Sequence, residues 1–322
     1  MTSTAAEEHR LRVRSQLDCL VSDYLSIGQR HGFEAEDLHQ RLEQLWTLVQ
    51  QQLHQPYVFE PWHTAQRSPF DYLTFGLEFF RPLADPARSV LRGPWDRVRE
   101  QLDRGENVIL LSNHQSEAEP PAMQLLLENR DPKLAEEMVM MAGARVTSDP
   151  ITIPFSLGRS LLCVYSKRHL PEDPLQRARQ LEHNQRALGI LKAKMHQGGL
   201  CLWVACAGGR DRADETGRVQ VIPFDSDSVE LLRLLSMQSR RPTHCYPLAL
   251  DTYRLMPPPP KVEKELGEAR RTLGGGVGMS LLNEIDWNAL PAGREGREER
   301  ARLIHSQVAH EVDSLETEIG RE

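Results

Sequence analysis

The chain of 322 residues has no long apolar run. Its uncharged apolar stretches all fall short of the roughly 18 residues that a membrane-spanning helix requires. Residues 1–14 lack the apolar core of a secretion signal, and Glu7 and Glu8 argue against a transit peptide. We therefore expect a soluble cytoplasmic protein with no transmembrane segment, which still leaves lipid-like substrates open.

Cysteine pairs and nucleotide-binding glycine motifs are also missing. The five cysteines are an odd number without Cys-x-x-Cys spacing, so reduced thiols in a cytosol-like compartment are expected. No G-x-x-x-x-G-K-[ST] or G-x-G-x-x-G motif follows a predicted strand. The net charge of -7 argues against a nucleic-acid partner, although a local basic pocket remains compatible with it.

Apolar periodicity divides the chain into two parts. Residues 7–53 show the spacing of helices, whereas short apolar runs alternate with amphipathic stretches from about residue 90. That alternation predicts an α/β fold, with helices flanking a mixed, mainly parallel sheet. We predict a small helical N-terminal domain at 1–78 and a larger α/β domain at 79–322. The predicted strands are 107–111, 138–142, 161–165, 200–205, 243–250 and 262–266.

The stretch 107–121 carries the clearest chemical signal. Its apolar run suits a buried strand, and a Ser-Asn pair then favours a turn. His114 lies in that turn, at the carboxyl end of a strand, where open α/β sheets place their sites. Pro120 suits the start of the next helix. Glu119 can fold back across the turn and orient the imidazole, so His114 and Glu119 are candidates for a general base and its supporting carboxylate.

Two basic clusters follow the third and fourth of these strands, at 166–169 and 208–212. Both would share an edge of the sheet with His114 if the strands run parallel. In the second cluster, a Gly-Gly pair lets the backbone approach a ligand, while Arg210 and Arg212 offer forked donors to a dianion such as phosphate. A histidine base beside a phosphate pocket predicts a reaction on a small phosphorylated alcohol.

Plainer interpretations exist for several of these residues. Glu117 can cap the following helix instead of contacting substrate. The arginines of the second cluster can pair with Asp211 and Asp214 at the surface. The Arg270-Arg271 pair is expected to be solvated, or to dock an acidic carrier protein. The glycine-rich run 274–278 is interpreted as a flexible loop.

The run 113–120 resembles the H-x4-D signature of glycerolipid acyltransferases, and it is most similar to the soluble, plastid-type glycerol-3-phosphate acyltransferases. Further blocks resemble that family in the family's own order across about residues 56–285. These blocks are residues 69–72, 142–146, 148–150, 163–169, 208–212, 223–225, 247–250 and 256–259.

The resemblance implies transfer of a fatty acyl group from acyl-carrier protein or acyl-CoA to the 1-hydroxyl of glycerol 3-phosphate. His114 would correspond to the base and Glu119 to the carboxylate that orients it. No metal and no organic cofactor are implied, and the location would be the cytoplasm, or the plastid stroma in a plant or alga. Backbone amides at the start of the following helix are the expected donors to the thioester oxygen. The implied substrate-binding residues are Arg168, His169, Arg210 and Arg212, with Glu117 as a further candidate.

Three positions depart from the family pattern. Glu119 stands where aspartate is usual, Ala144 where an acidic residue is common, and residues 205–207 read Ala-Cys-Ala instead of Ala-Pro-Ser. Two other functions therefore stay open: a lysophospholipid acyltransferase, and a non-catalytic module that binds an acyl carrier or a lipid phosphate. A transient membrane contact for product release is also left open.

Overall fold

The computed structural model describes residues 3–166, 170–261 and 268–320. Its helices are α1 (Ser3–Ser15), α2 (Asp18–Arg30), α3 (Ala35–His54), α4 (Tyr72–Phe80), α5 (Trp95–Asp103), α6 (Glu119–Leu127), α7 (Pro132–Glu137), α8 (Ala144–Ser148), α9 (Ile153–Leu157), α10 (Pro174–Gln197), α11 (Ser226–Gln238) and α12 (Arg297–Ile319). Its strands are β1 (Trp62–His63), β2 (Val90–Arg92), β3 (Asn107–Ser112), β4 (Val139–Gly143), β5 (Ser160–Val164), β6 (Cys201–Ala205), β7 (Arg212–Ala213), β8 (Val219–Gln220), β9 (Thr243–Asp251) and β10 (Gly278–Leu281).

Eight of these strands form one sheet in the order β1-β5-β4-β6-β3-β9-β10-β2. The five strands from β5 to β9 in that order are mutually parallel. β1 is antiparallel to β5 at one edge, and β10 is antiparallel to β9 near the other. The predicted α/β class, with a mixed, mainly parallel sheet, is confirmed.

β3 lies in the middle of the sheet and all six of its residues are buried. Its side chains alternate between two apolar layers, as those of a strand must. Ile109 and Leu111 belong to the cluster formed with α10, α11 and α12. Val108 and Leu110 belong to the cluster formed with α5, α6 and α7. Helices on both faces explain why this strand is an unbroken apolar run in the sequence.

Local signals fix the ends of the helices that flank the sheet. α10 begins where the Asp173 carboxylate accepts a hydrogen bond from Gln176 N at 2.9 Å. It ends at Gly198, whose φ of 87° lies in the left-handed region that favours glycine. α11 begins in the same way, with Asp225 accepting from Ser228 N at 2.8 Å.

Five of the six predicted strands are confirmed, as β3, β4, β5, β6 and β9. The sixth, 262–266, lies outside the described residues. The glycine-rich run 274–278 is not a free loop, and that interpretation was wrong. Gly275 N donates to Leu83 O at 3.0 Å. A Cβ on Gly276 would lie only 2.5 Å from the Arg88 carbonyl oxygen, so close packing requires glycine there.

The N-terminal helices pack against the α6 side of the sheet. Leu20 and Tyr24 of α2 and Phe79 of α4 share an apolar cluster with Ala118 and Ala122 around the start of α6. The predicted boundary between residues 78 and 79 falls within α4, and the division into two domains stays a prediction. Among the described residues, no helix has both the length and the apolar character needed to cross a membrane.

Candidate active site

His114 and Glu119 form a hydrogen-bonded pair across the turn between β3 and α6. The Nδ1 atom of His114 lies 2.5 Å from Oε2 of Glu119. Glu119 is fully buried, whereas the His114 side chain is 25% exposed. The carboxylate can only accept a hydrogen bond at that distance, which makes Nδ1 the protonated nitrogen and leaves the lone pair on Nε2. The imidazole is therefore in the tautomer that a general base requires.

Glutamate at position 119 reaches the histidine in spite of its extra methylene. Its second oxygen, Oε1, accepts from the backbone N–H of Gln115 at 2.5 Å and of Ser116 at 3.2 Å. The Thr252 hydroxyl donates to the same oxygen at 3.3 Å. The longer side chain folds back over its own turn and engages both oxygens, so the departure from the usual aspartate leaves the contact intact.

Three of the backbone amides near the start of α6 are already used inside the turn. The amides of Gln115 and Ser116 are used by Glu119. The amide of Ala118 donates to the Ser116 hydroxyl at 3.0 Å. The amides of Gln115, Ser116 and Ala118 therefore hold the turn together, because an N–H bonded inside the turn is not available to a thioester oxygen.

The turn is tied to the neighbouring strand β9 by side-chain amides. Asn113 donates through Nδ2 to Leu250 O at 2.8 Å and accepts at Oδ1 from Leu250 N at 2.9 Å. Gln115 Oε1 accepts from the backbone N–H groups of Thr252, at 2.8 Å, and Tyr253, at 3.0 Å. His114 is thus positioned by the sheet on which the turn is built.

The second basic cluster, residues 208–212, contacts the turn that carries His114. Asp211 N donates to His114 O at 2.5 Å, so the loop carrying Arg210 and Arg212 lies at the edge of the sheet where His114 is found. The structure therefore brings together four of the predicted site residues: His114, Glu117, Glu119 and Arg210. Arg168 and His169 lie outside the described residues.

Glu117 joins two buried arginines. Its Oε1 lies 3.3 Å from Nη1 of Arg210, and its Oε2 accepts from Nε of Arg270 at 3.1 Å. Burial alone would raise the pKa of Glu117, but the guanidinium groups of Arg270 and Arg210 lower it below its usual value. The helix that follows begins without a side-chain cap. The capping interpretation of Glu117 was therefore wrong.

Arg210 pairs with Glu268 as well as with Glu117, and it is almost fully buried. The alternative of a surface pair with Asp211 was wrong. Asp211 is itself buried and accepts from Ile222 N at 2.9 Å. Burial raises the pKa of Asp211 to about 7. Asp214, the other suggested partner, accepts instead from its own loop at Thr216 N.

Arg270 is buried, and its expected solvation was wrong. It donates through Nη2 to Asp149 Oδ2 at 2.8 Å, besides its bond to Glu117. Burial would lower the pKa of Arg270, but these two carboxylates raise it above its usual value. Asp149, Glu268 and Arg270 were not found as site residues from the sequence, because no spacing links them to His114. Their nearest signal was the family-like block at 148–150.

Arg212 has a different environment from Arg210. It donates to two backbone carbonyls, Pro259 O at 3.0 Å and Arg210 O at 2.9 Å. Within the described ranges no carboxylate pairs with it. Burial, and then the nearby charge of Arg210, lower the pKa of Arg212. Excess positive charge at this point favours an anionic ligand.

The two remaining departures involve no reactive group. Cys206 is buried, and burial raises the pKa of its thiol above the usual value, which disfavours the thiolate that a nucleophile requires. Ala144 begins the short helix α8 directly after β4.

Comparison with known proteins gives consistent matches. Residues 96–251 match the family model described as Acyltransferase. The chloroplastic glycerol-3-phosphate acyltransferase ATS11 of Cucurbita moschata is 41% identical over 276 residues, which cover 83% of this chain and 62% of that protein. The chloroplastic glycerol-3-phosphate acyltransferases of Arabidopsis thaliana and Spinacia oleracea are 40% and 42% identical, over 82% and 79% of this chain and 58% and 54% of theirs.

The chain thus spans 54% to 62% of the length of these three relatives. Among solved structures, a 1-acyl-sn-glycerophosphate acyltransferase from Thermotoga maritima matches with a TM-score of 0.44 at 18% identity, covering 76% of this chain and 78% of that one. Residues 96–251, which match the Acyltransferase family model, lie within a longer stretch that is similar to the chloroplastic glycerol-3-phosphate acyltransferases.

Proposed function

We propose that this chain is a glycerol-3-phosphate 1-O-acyltransferase, which takes a fatty acyl group from acyl-carrier protein or acyl-CoA and makes 1-acylglycerol 3-phosphate. The contact of 2.5 Å between His114 Nδ1 and Glu119 Oε2 carries this proposal. The names of the relatives and the ordered blocks of family-like sequence support the choice of acceptor. We propose the cytoplasm, or a plastid stroma, as the site of action.

In the proposed reaction, His114 Nε2 removes the proton of the acceptor hydroxyl as its oxygen attacks the thioester carbonyl. A carbon–oxygen bond forms, and the tetrahedral intermediate then expels the thiolate as the carbon–sulfur bond breaks. The proton held by His114 passes to that thiolate. Glu119 keeps the ring oriented and stabilises its charged form. A thioester is already activated, so the scheme requires no covalent enzyme intermediate.

The arginines hold the other end of the acceptor in this proposal. Arg210 and Arg212 bind the phosphate, and Arg168 and His169 are proposed to complete its site. Glu117 contacts Arg210 at 3.3 Å and Arg270 at 3.1 Å, so we assign it to holding the guanidinium groups in place. Binding of the phosphate holds the 1-hydroxyl near His114 in a defined orientation. This orientation lowers the entropic cost of reaching the transition state and so raises the rate of acyl transfer.

An acceptor competition assay tests the proposed function. Purified protein is mixed with a donor, either acyl-carrier protein or coenzyme A, that carries a radiolabelled fatty acyl group. Glycerol 3-phosphate and lysophosphatidate are supplied together in equal amounts. We expect label in 1-acylglycerol 3-phosphate alone. Label in phosphatidate would favour the lysophospholipid acyltransferase. A donor that binds in a single-turnover experiment without any acyl transfer would favour the non-catalytic module.

Arg210→Ala tests the phosphate assignment. The lost charge-assisted hydrogen bonds should raise the acceptor concentration at half saturation by about 10- to 100-fold. Turnover at saturation should change little, because phosphate binding is common to the ground and transition states. Arg302→Ala, at the exposed Arg302–Glu299 pair, is the matched control. An unchanged acceptor requirement in a folded Arg210→Ala protein would remove the assignment.

A further inference from the structure

The guanidinium group of Arg210 already holds a carboxylate. Its Nη2 atom contacts both oxygens of Glu268, one of them at 2.5 Å. The two side chains are 9% and 4% exposed, so the pair is shielded from solvent. A carboxylate and a phosphate offer a guanidinium fork the same kind of paired oxygen acceptors. Glu268 therefore uses the donors that the proposed acceptor would use.

Glu268 offsets part of the positive charge around Arg210. Three carboxylates alternate with three guanidinium groups in one connected series. The series is Asp149, Arg270, Glu117, Arg210, Glu268 and Arg145. Arg212 adds one positive charge beside this series. A phosphate dianion bound with every carboxylate in place would still leave uncompensated negative charge in a buried site, which is costly. Displacing one carboxylate reduces that cost.

Of the two carboxylates on Arg210, Glu268 can be displaced with the smaller loss of the contacts that the described residues make. Glu117 is held by two buried arginines, Arg210 and Arg270. Glu268 is held through its side chain by buried Arg210 and by Arg145, which lies 3.6 Å away and is 39% exposed. Moving the Glu268 side chain toward solvent leaves the bonds of Glu117 and Arg270 in place.

We propose that Glu268 is a specificity-determining residue, an internal competitor that the acceptor's phosphate must displace from Arg210. The proposal rests on the proposed function for the identity of the acceptor. A dianionic phosphate gains enough from the arginines to replace a single carboxylate, whereas an uncharged polyol does not. Glu268 thereby discriminates against acceptors that lack the phosphate, at the cost of a lower apparent affinity for those that carry it.

Glu268→Gln tests the proposal, since it preserves the size of the side chain and removes its charge. Binding of inorganic phosphate and of glycerol 3-phosphate is measured by calorimetry. We expect both dissociation constants to fall by about fivefold or more, because a larger fraction of the protein has Arg210 free to bind. Unchanged or weaker binding of both ligands in the folded variant would overturn the proposal.

Two measurements complete this test. Glu299→Gln removes an exposed carboxylate, paired with Arg302, and should leave both dissociation constants unchanged; a similar gain there would mean that net charge alone is responsible. If Glu268→Gln does not fold, a structure of the wild-type protein soaked with inorganic phosphate decides. A phosphate oxygen in place of the Glu268 carboxylate on Arg210 supports the proposal, and phosphate bound with that pair intact overturns it.

The calorimetry with inorganic phosphate tests this inference separately from the proposed function. Protein that binds glycerol 3-phosphate without transferring an acyl group would contradict the enzyme proposal. The change in inorganic phosphate affinity on Glu268→Gln would still decide whether Glu268 competes for Arg210.

Discussion

Two histidines lie at opposite ends of neighbouring parallel strands, and glutamate holds each of them. His114 follows β3, and its Nδ1 atom is 2.5 Å from Glu119. His244 is the second residue of β9; its Nδ1 atom is 2.6 Å from Glu284 and its Nε2 atom 3.0 Å from Glu106. The first pairing leaves one ring nitrogen for chemistry, and the second uses both.

The comparison shows that a histidine–glutamate contact does not by itself indicate a base. Both ring nitrogens of His244 face carboxylate oxygens, so neither can take a proton from a substrate hydroxyl. In the part of the chain that the structure describes, Nε2 of His114 has no hydrogen-bond partner. His114 also shares its edge of the sheet with Arg210 and Arg212. The free nitrogen and the neighbouring cations are the features that the proposed base requires, and they distinguish His114 from His244.

The largest expected effect is that of His114→Ala. Turnover should fall by about 10³-fold, because the variant loses the base that accepts the hydroxyl proton. Binding of glycerol 3-phosphate should stay within about twofold, since the arginines remain. Steady-state rates and calorimetry measure the two quantities. Turnover within tenfold of wild type would mean that His114 is not the base.

His244→Ala should give the opposite pattern. Without the imidazole, Glu106 and Glu284 lose a shared donor, and the free energy of unfolding should fall by about 2 kcal/mol. Both carboxylates retain arginine partners, which limits the loss. Turnover of the folded variant should stay within about twofold of wild type. Denaturant unfolding measures the loss of stability, and the acyl-transfer assay measures turnover. A loss of turnover as large as that of His114→Ala would contradict the proposed difference between the two histidines.

The smallest expected effect concerns Asp211, whose amide donates to His114 O. Burial raises its pKa to about 7, whereas an unfolded chain has a value near 3.9. Between roughly pH 4 and 7 the folded state therefore holds more protons. The contribution of Asp211 to stability is therefore lost as the pH rises through this range.

Asp211→Asn removes this titration. Relative to wild type, the variant should become progressively more stable from pH 4 to about 7, and the difference should then level off. Denaturant unfolding at four pH values measures the trend. Asp214→Asn, in the same loop and exposed, should show no such slope above about pH 4, because its pKa lies below its usual value. A flat difference for Asp211→Asn would mean that this carboxyl stays ionised in the folded protein.

The sequence predicted the parts of the fold whose signals are local. β3 was recognisable because helices cover both its faces, which makes it a continuous apolar run. β1, with two residues, and β2, with three, are too short to show a period. β10 begins at a glycine packed against Ile319 and Leu315. The glycine-rich residues before β10 show no strand pattern, so this strand is defined only by its tertiary packing.

The same limit applies to the site. Glu119 is five positions from His114, so one turn of chain brings them together and local reasoning can find the pair. Arg270 and Glu117 are 153 positions apart, and Arg210 and Glu268 are 58 apart. Partners of that kind depend on how loops from separate strands converge. A sequence pattern therefore identifies one member of each pair, Arg210 or Glu117, and not the partner that it meets.

The pairing of Asn113 with both backbone groups of Leu250 extends the β-ladder by one side chain beyond the last residue of β3. The imidazole is consequently attached only two residues past the end of β3, which lies in the middle of the sheet. The bonded turn leaves His114 little conformational entropy to lose in the proposed reaction, and a change in β9 that moves Leu250 should also move the imidazole.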